Sequence, residues 1–410
     1  MKLKKIAPHP QHEIRYILIL AAIQIVNVID FVIMMPLGPT LMDGLSITPP
    51  QFSTLISSYS FSGAIIGFIF GMFADKYDRK NLLIITMIGF IVTTLGCGLS
   101  NSFTTLLTMR TLTGVFAGTL TTIVFALVSD LIPFERRGKA MGIIMSSFSV
   151  ASVLGVPLGL AIADATNWQN SFHFIVLISI PILLLIILTF PNVFIEKENE
   201  TNMVKDLKVL FTKSKNTISF LLIFCVSGSM FLLIPFLSTY AVKNIEVDTT
   251  DLKWAYMVGG VFTIITSRII GICTDKFGGF KVFFALVMFS TVPILWFTHS
   301  GPLSLSGFLA LQTFFMTTVS GRLIPVMTLI SEVPKPEERG LFMGMLNSVR
   351  ALGRGIMTFL SGFVITTTAT GKLIGYGTAG IISISIALIT ILFAYTIASK
   401  VSSQYQKVSI

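Results

Sequence analysis

Along this chain, apolar stretches of about 20 residues alternate with short polar connections, and the alternation repeats twelve times. The stretches run approximately 16–41, 51–73, 82–100, 103–129, 139–163, 170–190, 217–241, 253–273, 282–299, 303–330, 341–367 and 375–399. About 20 apolar residues carry a helix across the hydrocarbon core of a bilayer, so each stretch predicts one membrane span. Backbone in lipid must satisfy its own hydrogen bonds, which helices do and open strands do not. The expected fold is therefore an all-α integral membrane bundle of twelve helices. The first span is too long for a signal-peptide core and lacks a clear cleavage site, so it is expected to stay attached.

One longer polar segment, 191–216, divides the spans six and six. It predicts an N-terminal bundle over 1–190, a linker over 191–216 and a C-terminal bundle over 217–410. The two halves are related in sequence. Gly71-Met-Phe-Ala-Asp75-Lys76 returns 200 residues later as Gly271-Ile-Cys-Thr-Asp275-Lys276, and Arg137-Gly-Lys-Ala-Met141-Gly142 returns 202 residues later as Arg339-Gly-Leu-Phe-Met343-Gly344. Repeated halves around a midplane cavity are the architecture of many secondary transporters.

Composition agrees with the pattern: 53% of the residues are hydrophobic and 12% charged, against roughly 25% charged in a soluble domain. Three cysteines, Cys97, Cys225 and Cys273, exclude a disulfide scaffold or a cysteine-based zinc cluster. The net charge of +10 is explained by topology and calls for no nucleic acid. Twenty-one of the 29 Lys and Arg fall on the side of the chain termini, three (Lys243, Lys253, Lys372) on the other, and five inside spans. Positive charge in short loops marks the cytoplasmic side, so both termini are expected in the cytoplasm.

The stretch Gly71 to Lys80, with Asp75, Asp78 and Arg79, resembles the signature between spans 2 and 3 of the major facilitator superfamily, although Asp78 stands where that family usually has Gly. Span 4 carries Arg110-Thr-Leu-Thr-Gly114-Val-Phe-Ala-Gly118, similar to the family's intramembrane Arg motif. Gly155-Val-Pro157-Leu-Gly159 in span 5 is similar to the core of the motif associated with proton-coupled antiporters, with Ala151 at its usual first Gly. The wording looks most like the bacterial 12-helix drug- and sugar-efflux branch. That resemblance implies two pseudo-symmetric six-helix bundles, a proton gradient as the energy source with no cofactor, and residence in a bacterial cytoplasmic membrane as a monomer.

The candidate chemistry lies inside the spans. Asp30 is the one carboxylate deep in any of them, since Asp130, Asp164 and Glu332 fall at span ends. An intramembrane acid is costly unless paired or wet, which makes it a functional candidate. Desolvation opposes its charge and a nearby cation favours it, so Asp30 could load and release a proton, with Arg110 as partner. At 1.5 Å per residue Asp30 lies about 22 Å along the helix from Arg15 and Arg110 about 10 Å from Phe103, which puts both in the outer half of the membrane. The bland alternative is local capping by Asp30 or a bond to Asn27. Gln24, Asn27 and Asp30 share one helical face, which should border a wet cavity.

Arg322 in span 10 and Arg350 and Arg354 in span 11 have no acid in their spans. Arg350 and Arg354 share a face with Asn347. A guanidinium stays charged and grips carboxylate or phosphate bidentately, so this cluster predicts an anionic substrate; the alternatives are backbone carbonyls, a lock between the halves, or pairing with Asp30. Phe31, Tyr59 and Tyr240 are candidate aromatic lining. Arg268 reads as structural or gating. Gly71, Asp75, Asp78, Arg79, Lys80, Arg136, Arg137, Asp275 and Arg339 read as gating residues at inner helix ends, where ion pairs can switch between two states; simple positive-inside topology is the alternative. Gly155, Pro157 and Gly159 allow close approach and a bend, for packing or coupling.

The leading functional expectation is a proton-coupled exporter of a small anionic or amphiphilic compound. The alternatives are a proton-coupled importer of an anionic nutrient or metal chelate such as a siderophore, and a non-transporting membrane receptor. No nucleophile–base pairing, phosphate loop or metal-ligand cluster points to an enzyme; His9 and His12 lie in the amino-terminal tail, and His173 and His299 near span ends.

Overall fold

The structure, a computed structural model, describes residues 10–73, 78–191, 212–334 and 339–408. The expected linker over 191–216 lies outside these residues except at its two ends, and Asp75 lies outside them altogether.

The first six membrane-length helices are α1 (Pro10–Ile33), α2 (Pro49–Phe73), α3 (Arg79–Gly98), α4 (Phe103–Leu131), α5 (Arg136–Ala165) and α6 (Gln169–Thr189). The second six are α7 (Ser214–Lys243), α8 (Leu252–Phe277), α9 (Gly279–His299), α10 (Leu305–Ser331), α11 (Arg339–Val364) and α12 (Tyr376–Val408). Eleven are apolar enough to cross a membrane by composition alone. The exception is α11, whose polar face bears Asn347, Arg350 and Arg354. Local signals set the starts: the Asp78 carboxylate accepts from the Asn81 N–H at α3, Ser102 and Thr105 form a capping box at α4, and Ser304 accepts from Gly307 at α10.

Four irregularities refine the expected spans. The stretch 16–41 is not one helix: α1 ends at Ile33, the chain turns before Pro36, and a short helix, Gly38–Gly44, follows. Proline lacks the donor a continuing helix needs. For the same reason α7 tightens into a 3₁₀ turn at Ile234–Phe236 around Pro235, and α10 is interrupted at Arg322, three residues before Pro325. A π-helical turn, Ala151–Gly155, opens α5 just before Pro157; such turns are frequent at functional sites. A small antiparallel hairpin, β1 (Thr366–Thr367) with β2 (Leu373–Ile374), adds strand to the all-α expectation, with Gly371 and Gly375 at positive φ.

Large apolar side chains such as Leu177, Leu188, Val292 and Leu392 are exposed on the outer face, as lipid contact requires. Between the halves, α2 packs along α11 and α5 along α8. Their joint is closed at the end opposite the chain termini. There Asp43 pairs with Lys243 at 2.6 Å, Asp164 with Lys253 at 3.5 Å, Phe52 packs on Phe236 at 5.6 Å, and the Ser53 hydroxyl donates to the Phe359 carbonyl at 3.4 Å. Towards the terminal end Gly142 of α5, Gly271 of α8 and Gly344 of α11 face open space.

Candidate functional site

Asp30 on α1 is fully buried, and the Arg110 guanidinium of α4 donates to its Oδ2 at 2.8 Å. The contact is single: Asp30 Oδ1 and Arg110 Nε are both buried without a hydrogen-bond partner. A bidentate fork would have satisfied both atoms. The neighbours hold the pair in place. The Tyr59 hydroxyl of α2 donates to Asn27 Oδ1 at 2.9 Å, and Asn27 Nδ2 donates to the Ala117 carbonyl at 3.0 Å and to Thr121 Oγ1 at 2.9 Å. The Arg110 guanidinium lies 4.4 Å over the Tyr59 ring. Helix α4 can come this close because a side chain at Gly114 would strike the Tyr59 backbone and one at Gly118 would strike Gly63.

An aromatic ladder leads from this pair to the other half. The Tyr59 and Phe31 rings are 5.5 Å apart, Phe31 stacks on Phe231 of α7 at 5.9 Å, and the Arg354 guanidinium sits 4.9 Å from Phe31 and 5.6 Å from Phe231. Arg350 precedes Arg354 by one turn, and their like charges repel. The Nε of each is buried without a partner, and among the described residues no acid acts on either.

The three C-terminal arginines do not form one cluster. Arg322 is 1% exposed and its Nε donates to the Val319 carbonyl at 3.2 Å; among the described residues its Nη2 has no partner and no other charge acts on it. It is sealed inside the second half, whereas Arg350 and Arg354 are only partly buried. Tyr240 is also placed apart: its hydroxyl donates to the carbonyls of Thr298 and Ser300, and its ring stacks on Tyr376 at 4.5 Å, inside the second half. Gln24 and Asn347 lie half-buried on the polar faces of α1 and α11, and Gln24 Oε1 has no partner.

The motif residues sit at the terminal end. Asp78 caps α3, and Arg79 Nε lies 3.4 Å from Asp130 Oδ2. Lys80 is half-buried and Asp275 exposed. Arg136 pairs with Glu13 at 3.0 Å, and Arg137 donates to the Ile132 carbonyl at 2.9 Å. The Arg79 and Arg136 ion pairs lie within the first half, so neither bridges the halves in this state. Gly71 belongs to the last turn of α2; its surroundings, and the side chain of Arg339, lie outside what the structure describes. Gly155 and Gly159 press on Ile29 and Ile33 of α1, on either side of Asp30, and Pro157 is half-buried beside them. Phe231 was not singled out from the sequence, although the repeat carries the signal: it stands 200 residues after Phe31, as Gly271 does after Gly71. Among the described residues no three His, Cys, Asp or Glu side chains converge as metal ligands would.

The family model of the Major Facilitator Superfamily matches residues 20–358 and 219–407. An uncharacterized MFS-type transporter of Bacillus subtilis, YceJ, is 25% identical over 341 residues, 83% of this chain and 86% of that protein. Multidrug resistance protein 3 of B. subtilis is 34% identical over 28% of this chain and 22% of its own length, and the hexuronate transporter of B. subtilis is 27% identical over 40% and 39%. In fold, the chain is similar to a bacterial homolog of the human lysosomal transporter Spinster in an inward-facing, unoccupied conformation, with TM-score 0.74, 15% identity and coverage of 97% and 99%. It is likewise similar to the nucleoside transporter NupG, with TM-score 0.73, 11% identity and coverage of 93% and 99%.

Proposed function

The chain belongs to the Major Facilitator Superfamily, and from that premise we propose that it is a proton-coupled secondary transporter of a small anionic or amphiphilic compound, working by alternating access. The observation that carries the reading is the buried Asp30–Arg110 pair facing, across the rings of Tyr59, Phe31 and Phe231, two arginines on which no acid among the described residues acts. A carboxylate with one oxygen on a cation and the other unpartnered can take a proton without losing its only hydrogen bond. Arg350 and Arg354 are the substrate anchors, with Asn347 and the rings beside them, and their uncompensated charge is what an anion would neutralise.

The excess of basic residues at the terminal end makes that end cytoplasmic in this reading. The conformation is then inward-open, sealed outside by the Asp43–Lys243 and Asp164–Lys253 pairs, and the Spinster homolog to which the fold is similar was captured inward-facing. The relative that bears the name hexuronate transporter carries a carboxylate-bearing sugar, which suits the arginines. Export by exchange is what the α5 motif implies. The protein is read as a monomer in a bacterial cytoplasmic membrane.

Uptake into proteoliposomes across imposed pH gradients, screened over carboxylates, sugars and cationic drugs, tests the proposal. Transport of an anion that responds to the gradient and is lost in Asp30→Asn is expected. Unchanged selectivity between anions and cations in both Arg350→Gln and Arg354→Gln would overturn the anion assignment.

A further inference from the structure

We infer that the proton and the anion bind this site together and not in competition, so that the coupling has the sign of symport. The inference rests on reading Arg350 and Arg354 as the anion site, and it supplies a sign opposite to the exchange implied by the α5 motif.

Charge at the site decides it. With Asp30 ionised, Asp30 and Arg110 cancel, and Arg350 and Arg354 leave two positive charges. With Asp30 protonated, Arg110 is uncovered and the site carries three. The two ends are physically joined: Arg110 is 2.8 Å from Asp30 and 4.4 Å from the Tyr59 ring, Tyr59 is 5.5 Å from Phe31, and Phe31 is 4.9 Å from the Arg354 guanidinium. That path holds rings and no intervening acid, so an anion on Arg350 and Arg354 feels the charge that protonation uncovers. One unit charge at about 12 Å and an effective dielectric of about 20 changes an affinity roughly tenfold. Linkage is reciprocal, so the bound anion holds the proton by the same factor. A cationic substrate would be repelled by the same step, which is the arrangement suited to exchange; an anion is drawn in.

Few other groups can alter this balance. Besides Arg110, Tyr59 of α2 and the uncharged Thr94 of α3 face Asp30, and Cys97 of α3 lies in the field of the same pair; Tyr59 and Cys97 are neutral between pH 5 and about 8. Helix α5 carries its ionisable side chains at its ends, as Arg136, Arg137, Lys139 and Asp164, and α6 carries only His173, near its start. On α1 itself Glu13 and Arg15 lie at the far terminal end.

The test uses the full chain in lipid nanodiscs with benzenesulfonate, an aromatic anion whose charge is constant over this pH range. Its affinity is expected to rise about tenfold across the protonation of Asp30, followed from pH about 4 to about 9. In weak buffer, its addition should draw protons from solution onto the wild-type protein. In Asp30→Asn the affinity should stay high at both ends of that range and the proton uptake should vanish. Arg350→Gln and Arg354→Gln should weaken binding at both ends and leave the ratio in place. Proton release on binding, or affinity that falls as the pH is lowered, overturns the symport sign while leaving the anion site standing; this readout needs no variant. Absent binding, or binding indifferent to both arginine variants, overturns the anion reading and the sign with it.

Discussion

Arg110 stands seven residues into α4 and meets an acid; seven residues into α10, after the matching serine cap, stands Gln312, which is buried with its Oε1 unpartnered. Likewise, 200 residues after Asp30 the chain has Met230, while Phe31 is matched by Phe231. The repeat has kept the helices, the caps and one stacked ring in both halves, but the paired charge in only one. The second half places its charge elsewhere, on Arg322, Arg350 and Arg354, on which no acid among the described residues acts. In the proposed reading the duplicated scaffold divides labour: one half holds a charge pair that a proton would open, and the other holds charge that a solute would close.

The largest expected effect separates paired from unpaired arginine. Arg110→Gln strands a buried carboxylate and should destabilise the protein by about 3–5 kcal/mol. Arg322→Gln removes a buried charge that has no counter-ion and should leave stability unchanged or raised, because the desolvation cost disappears with the charge. Thermal unfolding in nanodiscs measures both. Similar losses in the two variants would erase the distinction, and Asp30→Asn combined with Arg110→Gln should recover most of what Arg110→Gln loses.

Much of the scaffold was legible in the sequence because lipid permits so few solutions. Hydropathy marks eleven of the twelve spans, and the spaced motifs reveal the repeat that supplies α11. The breaks at Arg322 and Ile234 were not marked, because a proline within a long apolar stretch is compatible with a kinked helix as well as an interrupted one. In the site, the depth of Asp30 and Arg110 put them within reach of each other, since both are fixed by counting along a helix. Depth says nothing about rotation around the helix axis, however. Arg322, Arg350 and Arg354 therefore looked like one cluster, although Arg322 turns into its own half, and Tyr240 looked like cavity lining although it packs beside Tyr376.

A second effect, of about 1 kcal/mol, probes the ladder that joins the halves. Phe31→Leu keeps apolar bulk but removes the face on which Arg354 rests, a cation–π contact worth about 0.5–2 kcal/mol where water is excluded. Phe231→Leu should cost less, since the guanidinium is farther from that ring, 5.6 Å against 4.9 Å. A double-mutant cycle between Phe31→Leu and Arg354→Gln should return a coupling energy of about 0.5–1 kcal/mol in thermal unfolding. Independent effects would mean that the rings fill space and transmit nothing.

The smallest effect on stability should carry a visible effect on conformation. Asp43 and Lys243 join the halves at 2.6 Å, with side chains 64% and 29% exposed. An exposed pair of this kind contributes about 0–1 kcal/mol, so Lys243→Gln should barely move the unfolding temperature. The same fraction of a kcal/mol acts on a different balance, however, because this pair exists only while that end is closed. The proposed alternating access implies two states close in free energy, and about 0.7 kcal/mol shifts such an equilibrium about threefold. Accessibility of a cysteine placed at Thr239, near the joint beside Gly38, should therefore rise about two- to threefold in Lys243→Gln. The comparison between the halves gives the control: Lys372→Gln breaks the 3.0 Å pair with Glu246, which lies at the same end but wholly inside the second half. It should leave that accessibility unchanged, because a bond within one rigid body is present in both states and biases neither.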